Sequence, residues 1–148
     1  MNNSARPATT VCPHCQATNR VGAGAVAQAH CGRCGQLLYT GHPLALDSST
    51  FECHAANADT PLVVDFWAPW CGPCRGFAPV FERAARELEP AMRFAKVNTD
   101  EAVDLATRHA IRSIPTLAIF RGGREIARAT GAMDYARFTA WLRQSTPA

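Results

Sequence analysis

Leu62-Val63-Val64-Asp65-Phe66-Trp67-Ala68-Pro69-Trp70-Cys71-Gly72-Pro73-Cys74 decides the fold. Its first six residues form a nearly continuous apolar run with β-branched and aromatic members, which predicts a buried central strand over 62–67. Beyond the cysteines, Phe77, Val80, Phe81, Ala84, Ala85 and Leu88 recur at helical spacing. A helix is therefore predicted over 70–88, with Pro79 unable to donate an amide inside it and expected to kink it. Cys71 and Cys74 fall at a strand-to-helix turn, where unpaired backbone N–H groups and the helix dipole stabilise a thiolate. Cys71, nearer the turn, is expected to be the more exposed sulfur and the nucleophile. Cys74, one helical turn further on, is close enough to bridge to it. Gly72 allows close backbone approach, and Pro73 suits an early helical position. Such a pair can attack a disulfide, form a mixed disulfide and resolve it internally. The alternatives are half of a metal site or a merely packed pair.

Working outward, Asp65 is the one ionisable residue of the strand. Among apolar neighbours its carboxyl is expected to be desolvated, with a raised pKa. It can then exchange a proton with the second sulfur as the disulfide forms or opens. A solvent-facing Asp65 at a strand edge is the other reading. The next strand, 92–97, carries Lys96, the single lysine of a chain with 15 Lys and Arg in all. A compact ammonium near Asp65 would restrain that pKa; the plainer alternative is a surface lysine.

The remaining cysteines concentrate at the other end of the chain. Cys12-Pro13-His14-Cys15 and Cys31-Gly32-Arg33-Cys34-Gly35 make a C-x₂-C-x₁₅-C-x₂-C pattern, the spacing of a four-cysteine zinc site. Cys12, Cys15, Cys31 and Cys34 are the candidate ligands, with two disulfides or an iron site as alternatives. His14 and His30 flank ligands but are superfluous to a completed tetrahedron. The segment between the pairs has few large apolar residues, so metal binding is expected to supply most of the folding energy of this small module. With no open coordination position, the ion would be structural or a redox-sensitive clip.

The organisation expected from these signals is a disordered tail over 1–10, a metal module over 11–40, a hinge at Gly41-His42-Pro43 and a second domain over 44–148. The second domain should start with a short strand at 44–46. A helix capped by Asp47, Ser48 or Ser49 follows and runs to about Asn57. Cys53 on that helix reads as a small buried hydrophobe. A short helix over 101–110 turns Val103, Leu105 and Ala106 inward. Phe120-Arg121-Gly122-Gly123-Arg124 reads as a hairpin. A last helix from Asp134 buries Tyr135, Phe138, Trp141 and Leu142.

Composition narrows the function. The formal charge of +3 belongs to residues 1–46, which hold Arg6, Arg20 and Arg33 and no acid. Four thiolates on Zn²⁺ would add about −2, leaving near neutrality. No basic patch for nucleic acid or membrane stands out. No stretch reaches the length of a membrane span, and the polar start has no apolar secretory core, so a cytoplasmic location is expected. Seven cysteines in a reducing compartment point to metal binding or catalysis.

The motif Trp67-Ala68-Pro69-Trp70-Cys71-Gly72-Pro73-Cys74, followed by Ile114-Pro115-Thr116, resembles the thioredoxin family. Together with the N-terminal cysteine pairs, the chain is similar to the zinc-containing bacterial thioredoxins. The resemblance implies an α/β fold, a central mixed β-sheet flanked by helices, with a small zinc-ribbon-like module in front. It also implies a general protein disulfide reductase, recharged by an NADPH-dependent thioredoxin reductase, acting as a monomer without an organic cofactor. Asp65 and Lys96 match family positions that assist the dithiol. Pro115 matches a proline with a cis peptide bond facing the dithiol, and Gly131 a glycine beside it. Substrate is then expected to rest on Trp70, Gly72, Pro73, Ile114, Pro115 and Gly131. The competing reading is a zinc-based redox sensor or redox-regulated chaperone that releases its metal on oxidation.

Overall fold

The computed structural model describes residues 8–57 and 59–147, with only the backbone described for 23–25. Two hydrogen-bonded units are present. The first is a two-stranded antiparallel ribbon, β1 (Ala8–Val11) and β2 (Thr18–Val21), followed by a 3₁₀ stretch over Ala23–Gln28. The second is a five-stranded sheet. It comprises β3 (Leu44–Leu46), β4 (Leu62–Trp67), β5 (Arg93–Asn98), β6 (Thr116–Arg121) and β7 (Arg124–Thr130), in the order β3-β5-β4-β6-β7. β3, β5 and β4 are parallel, while β6 and β7 join antiparallel, so the sheet is mixed as expected.

Helices cover both faces. α1 (Phe51–Asn57) and α3 (Val103–Arg108) lie on one, α2 (Gly72–Leu88) and α4 (Tyr135–Ser145) on the other. The alternation of β4 explains this division. Leu62, Val64 and Phe66 join Phe51 and Leu105 in one core, while Val63 joins Phe77, Phe81, Phe138 and Leu142 in the other. Because β4 is buried on both faces, it reads as an apolar run and not as an alternating pattern.

Local chemistry sets the element ends. The Asp47 carboxylate accepts the amides of Ser49 and Thr50 ahead of α1. Asp134 accepts the Arg137 amide and starts α4. Gly122 and Gly123 take φ of +58° and +82° to close the β6–β7 hairpin.

Several expectations need correction. Ala8–Thr10 belong to β1 instead of a disordered tail; residues 1–7 lie outside the described set. β1 is held because Thr9 exchanges hydrogen bonds with Asp59, just before β4. Val103 points out to solvent at 60% exposure, and the buried position beside Leu105 is filled by Ala102. Tyr135 and Trp141 are only half-buried: Tyr135 keeps its hydroxyl on Glu87, and Trp141 stacks on Phe138 from outside. Cys53 is half-buried, its Sγ donating to Thr50 O at 3.2 Å.

The segment over 41–43 is pinned: Gly41 N–H donates to the Glu89 carboxylate at 3.1 Å. A stronger tie runs through Arg93, which is 3% exposed. It leaves the start of β5 and enters the cysteine module, donating to Thr10 Oγ1 at 3.1 Å and to Leu38 O. Its guanidinium lies 4.2 Å from the centre of the Tyr39 ring. Removing it orphans a buried carbonyl and empties the seam. Arg93→Ala is expected to lower stability by about 2–4 kcal/mol in urea denaturation and to expose 41–43 to proteolysis. An unchanged midpoint with an unchanged cleavage pattern would show that the two units are held together by other contacts.

Candidate functional site

Strand β4 ends at Trp67, the chain turns through Ala68-Pro69-Trp70, and α2 begins at Gly72 with Cys71 as its N-cap. Cys71 has extended φ and ψ, and its sulfur accepts the Cys74 amide at 3.2 Å, filling the role a Ser or Asp oxygen usually plays. The two cysteines are joined by a disulfide, their Cα atoms 5.2 Å apart. Both sulfurs belong to buried residues, so Cys71 is more exposed than Cys74 only marginally. Its Sγ lies 3.7 Å from Ile114 O. The Ile114–Pro115 bond is cis, and the Gly131 amide donates to Pro115 O at 2.8 Å with Gly131 at φ +94°. Thus Cys71, Ile114, Pro115 and Gly131 converge.

Trp70 stands out from this surface at 67% exposure, its indole N–H donating to Asp100 Oδ1 at 3.2 Å. Gly72 and Pro73 are exposed on the same turn. Disulfide chemistry suits the place: the helix N-terminus favours a thiolate, the bridging partner is three residues away, and an apolar platform surrounds it.

Behind the turn, Asp65 is fully buried, and neither of its oxygens has a hydrogen-bond partner among the described residues. Burial pushes its carboxyl pKa up to about 7, and the charge of Lys96 pulls it partly back. Asp65 and Lys96 are direct neighbours across β4 and β5. Lys96 nevertheless makes no ion pair with Asp65; its ammonium sits 4.3 Å over the Trp67 ring.

The second constellation is the N-terminal cluster, where the sulfurs of Cys12, Cys15, Cys31 and Cys34 all lie within 4.8 Å of one another. The two cysteine pairs are built alike. Cys12 N–H donates to Ala17 O and Cys31 N–H to Gln36 O; Gln16 N–H donates to Cys12 O and Gly35 N–H to Cys31 O. Amides of His14 and Arg33 each point at the first sulfur of their pair, at 3.3 Å. Such donors stabilise thiolates: the Cys34 amide, then the Asn19 side chain, bring Cys31 down to about 6. An all-sulfur set at these separations, with N–H groups turned toward it, fits one soft or borderline metal ion. His14 and His30 are not part of the cluster.

The likeness of the two pairs exposes a residue the sequence did not single out. Gly35 has φ +82°, and its counterpart in the first pair is Gln16, at φ +66°. A glycine is easier there, but the Gln16 side chain bridges to α1: His54 donates from Nε2 to Gln16 Oε1 at 2.6 Å. His54 is buried and kept neutral, its pKa brought down to about 4 by burial and then by Arg93. Gln16, His54 and Arg93 therefore carry the junction between the two units. Only Arg93, a charge in an apolar strand, left a trace in the pattern.

The profile of the thioredoxin family matches residues 42–144. The chain belongs to the thioredoxin family. Thioredoxin C-3 of Corynebacterium nephridii is 38% identical over 135 residues, spanning 90% of this chain and 92% of that one, so the likeness reaches into the cysteine module. Thioredoxin 1 of Nostoc is 49% identical over 85 residues, 57% of this chain and 79% of its own. Among solved structures, the thioredoxin of Malassezia sympodialis superposes with a TM-score of 0.66 at 32% identity, covering 74% of this chain and 96% of that one. As a thioredoxin, the protein is a protein-disulfide oxidoreductase working by dithiol exchange. No helix among the described residues is long and apolar enough to cross a membrane.

The Asp65 environment sets a pH dependence with a definite sign. Its folded pKa, about 7, lies above the ordinary 3.8, so the folded state holds the proton more tightly than the unfolded chain does. Stability from this group is present below pH 4 and is lost as pH rises through 7. Asp65→Asn is expected to be more stable than the parent at pH 8, by an amount on the order of 4 kcal/mol, with the difference gone by pH 4. Urea denaturation at the two pH values checks it, and equal differences at both would mean that Asp65 is not desolvated.

Proposed function

We propose that this thioredoxin is a general protein disulfide reductase whose attacking sulfur is Cys71 and whose resolving sulfur is Cys74. The observation that carries the reading is the dithiol at the α2 N-terminus, facing Ile114 O, with Asp65 buried in the strand that leads to it. A substrate disulfide rests on Trp70, Gly72, Pro73, Ile114, Pro115 and Gly131. The Cys71 thiolate attacks it and leaves a mixed disulfide. Asp65, near neutrality in its proton affinity, takes the proton of Cys74, which then displaces the reduced product. Lys96 limits how far the Asp65 pKa rises. The oxidised dithiol is returned to its reduced form by an NADPH-dependent thioredoxin reductase. The protein acts in the cytoplasm as a monomer.

The N-terminal cluster holds one Zn²⁺ through Cys12, Cys15, Cys31 and Cys34. That ion supplies folding energy and no catalytic step, since four sulfurs complete its shell. A second reading, a redox sensor that releases zinc on oxidation, draws on one observation: Cys34 is exposed while Cys12 and Cys31 are buried.

In an insulin-reduction assay, Cys71→Ser is expected to lose turnover with dithiothreitol and with the reductase alike. Cys74→Ser should stop at a mixed disulfide visible by mass. Turnover retained in Cys71→Ser would remove the dithiol mechanism. Turnover with dithiothreitol but no NADPH consumption with the reductase would remove the recharging partner. Metal analysis is expected to find one zinc per chain, lost in Cys31→Ser; a full zinc content in that variant would place the ion elsewhere.

A further inference from the structure

The two cysteine constellations lie at opposite ends of the sheet. The module docks where β4 and β5 begin, through Asp59, Arg93 and the pinned Gly41. The dithiol follows the other end of β4, five residues away along an extended strand. At about 3.3 Å per residue that strand alone separates them by roughly 17 Å. Disulfide exchange needs the reacting sulfurs within about 3.5 Å. Cys71 of one chain therefore cannot reach the module of the same chain while Arg93 holds the two units together.

The module is itself built to become a disulfide substrate. Cys12 Sγ and Cys34 Sγ are 3.6 Å apart, as are Cys15 Sγ and Cys31 Sγ. A disulfide needs about 2.05 Å, a closure of roughly 1.5 Å once no ion stands between them. Both of these pairs run across the two knuckles. Of the four cysteines, Cys34 is the one exposed. Arg33 and Leu37 are exposed beside it, in a module without an acidic residue up to Asp47. On the dithiol surface, exposed Trp70 offers an apolar face and Asp100 sits against its indole as a carboxylate. Apolar meets apolar and cation meets anion when Cys34 of one chain approaches Cys71 of another.

We propose that the oxidised cysteine module is a substrate for the dithiol of a second copy of this chain, with attack falling on Cys34. The proposal rests on the reductase reading. A hydroperoxide oxidises Cys12 and Cys34 to a disulfide and is itself reduced to an alcohol and water. The Cys71 thiolate of the second chain attacks Cys34 Sγ; the Cys71–Cys34 bond forms, the Cys12–Cys34 bond breaks, and the Cys12 thiolate leaves. Cys74 then attacks Cys71 and releases the Cys34 thiolate. Two electrons pass from the Cys71/Cys74 dithiol to the module, returning Cys12 and Cys34 to thiolates; a module that also carries Cys15–Cys31 needs a second dithiol.

The test uses full-length chains. The acceptor is a Cys71→Ser/Cys74→Ser chain treated with hydroperoxide until its zinc is released, with its disulfides mapped as Cys12–Cys34 and Cys15–Cys31. The donor is the reduced Cys74→Ser chain. A reducible covalent pair is expected, with peptide mapping joining Cys71 to Cys34. Reduced parent protein in place of the donor should restore acceptor thiols at a rate proportional to its concentration. Donor capture of insulin but not of the oxidised module would overturn the proposal and leave the reductase reading intact; capture of neither removes both. A link from Cys71 to any cysteine but Cys34 overturns the assigned point of attack. Recovery of module thiols in parent chains whose module is oxidised but whose Cys71 and Cys74 are reduced, with a half-time unchanged on tenfold dilution, would mean repair within one chain, and would also overturn it.

Discussion

Strand β4 is held by backbone ladders on both sides, parallel to β5 and antiparallel to β6, and its register governs everything near the dithiol. A slip of one residue would turn Asp65 from the α2 face to the opposite core and bring Val64 and Phe66 out of theirs. The pairing of Asp65 with Lys96 on one side and with Leu117 on the other depends on that register. So does the point at which the chain leaves the sheet, and hence where Cys71 caps α2. The apolar faces enforce it: β4 buries large side chains into both cores, so no shifted register keeps both filled. The unpartnered carboxylate of Asp65 is a local cost that this packing sustains.

The cysteine module meets the same sheet by a different kind of contact. Its own apolar cluster is small, built on Leu38, Tyr39, Val21, Cys12 and Cys31. Such a core cannot order its backbone unaided. Arg93 compensates by filling the seam, with its charge spread between a carbonyl, a hydroxyl and the Tyr39 ring. Gln16 adds a second point of contact, and accepts a left-handed backbone to do so. Both contacts make the module a fixed extension of the sheet, where 41–43 alone suggested a hinge.

Much of this was legible in the chain because the chemistry is local. The C-x₂-C spacings, the strand-to-helix change at Cys71 and the Ile114-Pro115 step each state their structure within a few residues. Of the two elements that flank the dithiol, β4 could be read from its continuous apolar run and α2 from its period. What escaped depends on distant partners. Arg93 looks like a surface charge until Leu38 and Thr10, more than fifty residues earlier, fold over it. Gln16 looks ordinary until Gly35 shows which backbone conformation its position requires. Val103 has the right spacing to face inward, but α3 is short and Ala102 and Leu105 already fill the available core. Ala8–Thr10 form a strand because Arg20 and its β2 neighbours, and then Asp59, offer backbone partners; their composition resembles a tail.

Three C-x₂-C turns in one chain meet different fates, although their local physics is shared. In each, a backbone amide points at the first sulfur: Cys74 N at Cys71, His14 N at Cys12, Arg33 N at Cys31. That contact is common to all three, so it does not separate a pair that bonds to itself from a pair that faces other sulfurs. The surroundings do. Cys71 and Cys74 face a carbonyl and an open platform, and the sulfur nearest to each is the other's. Each N-terminal pair faces another pair, with sulfurs across the gap 3.6 Å apart. Two sulfurs alone can lose electrons and join, whereas four converging sulfurs repel as thiolates and favour a cation between them. Should the cation leave, the same convergence favours disulfides across the gap. The motif thus provides a reactive sulfur, and the tertiary fold decides what that sulfur reacts with.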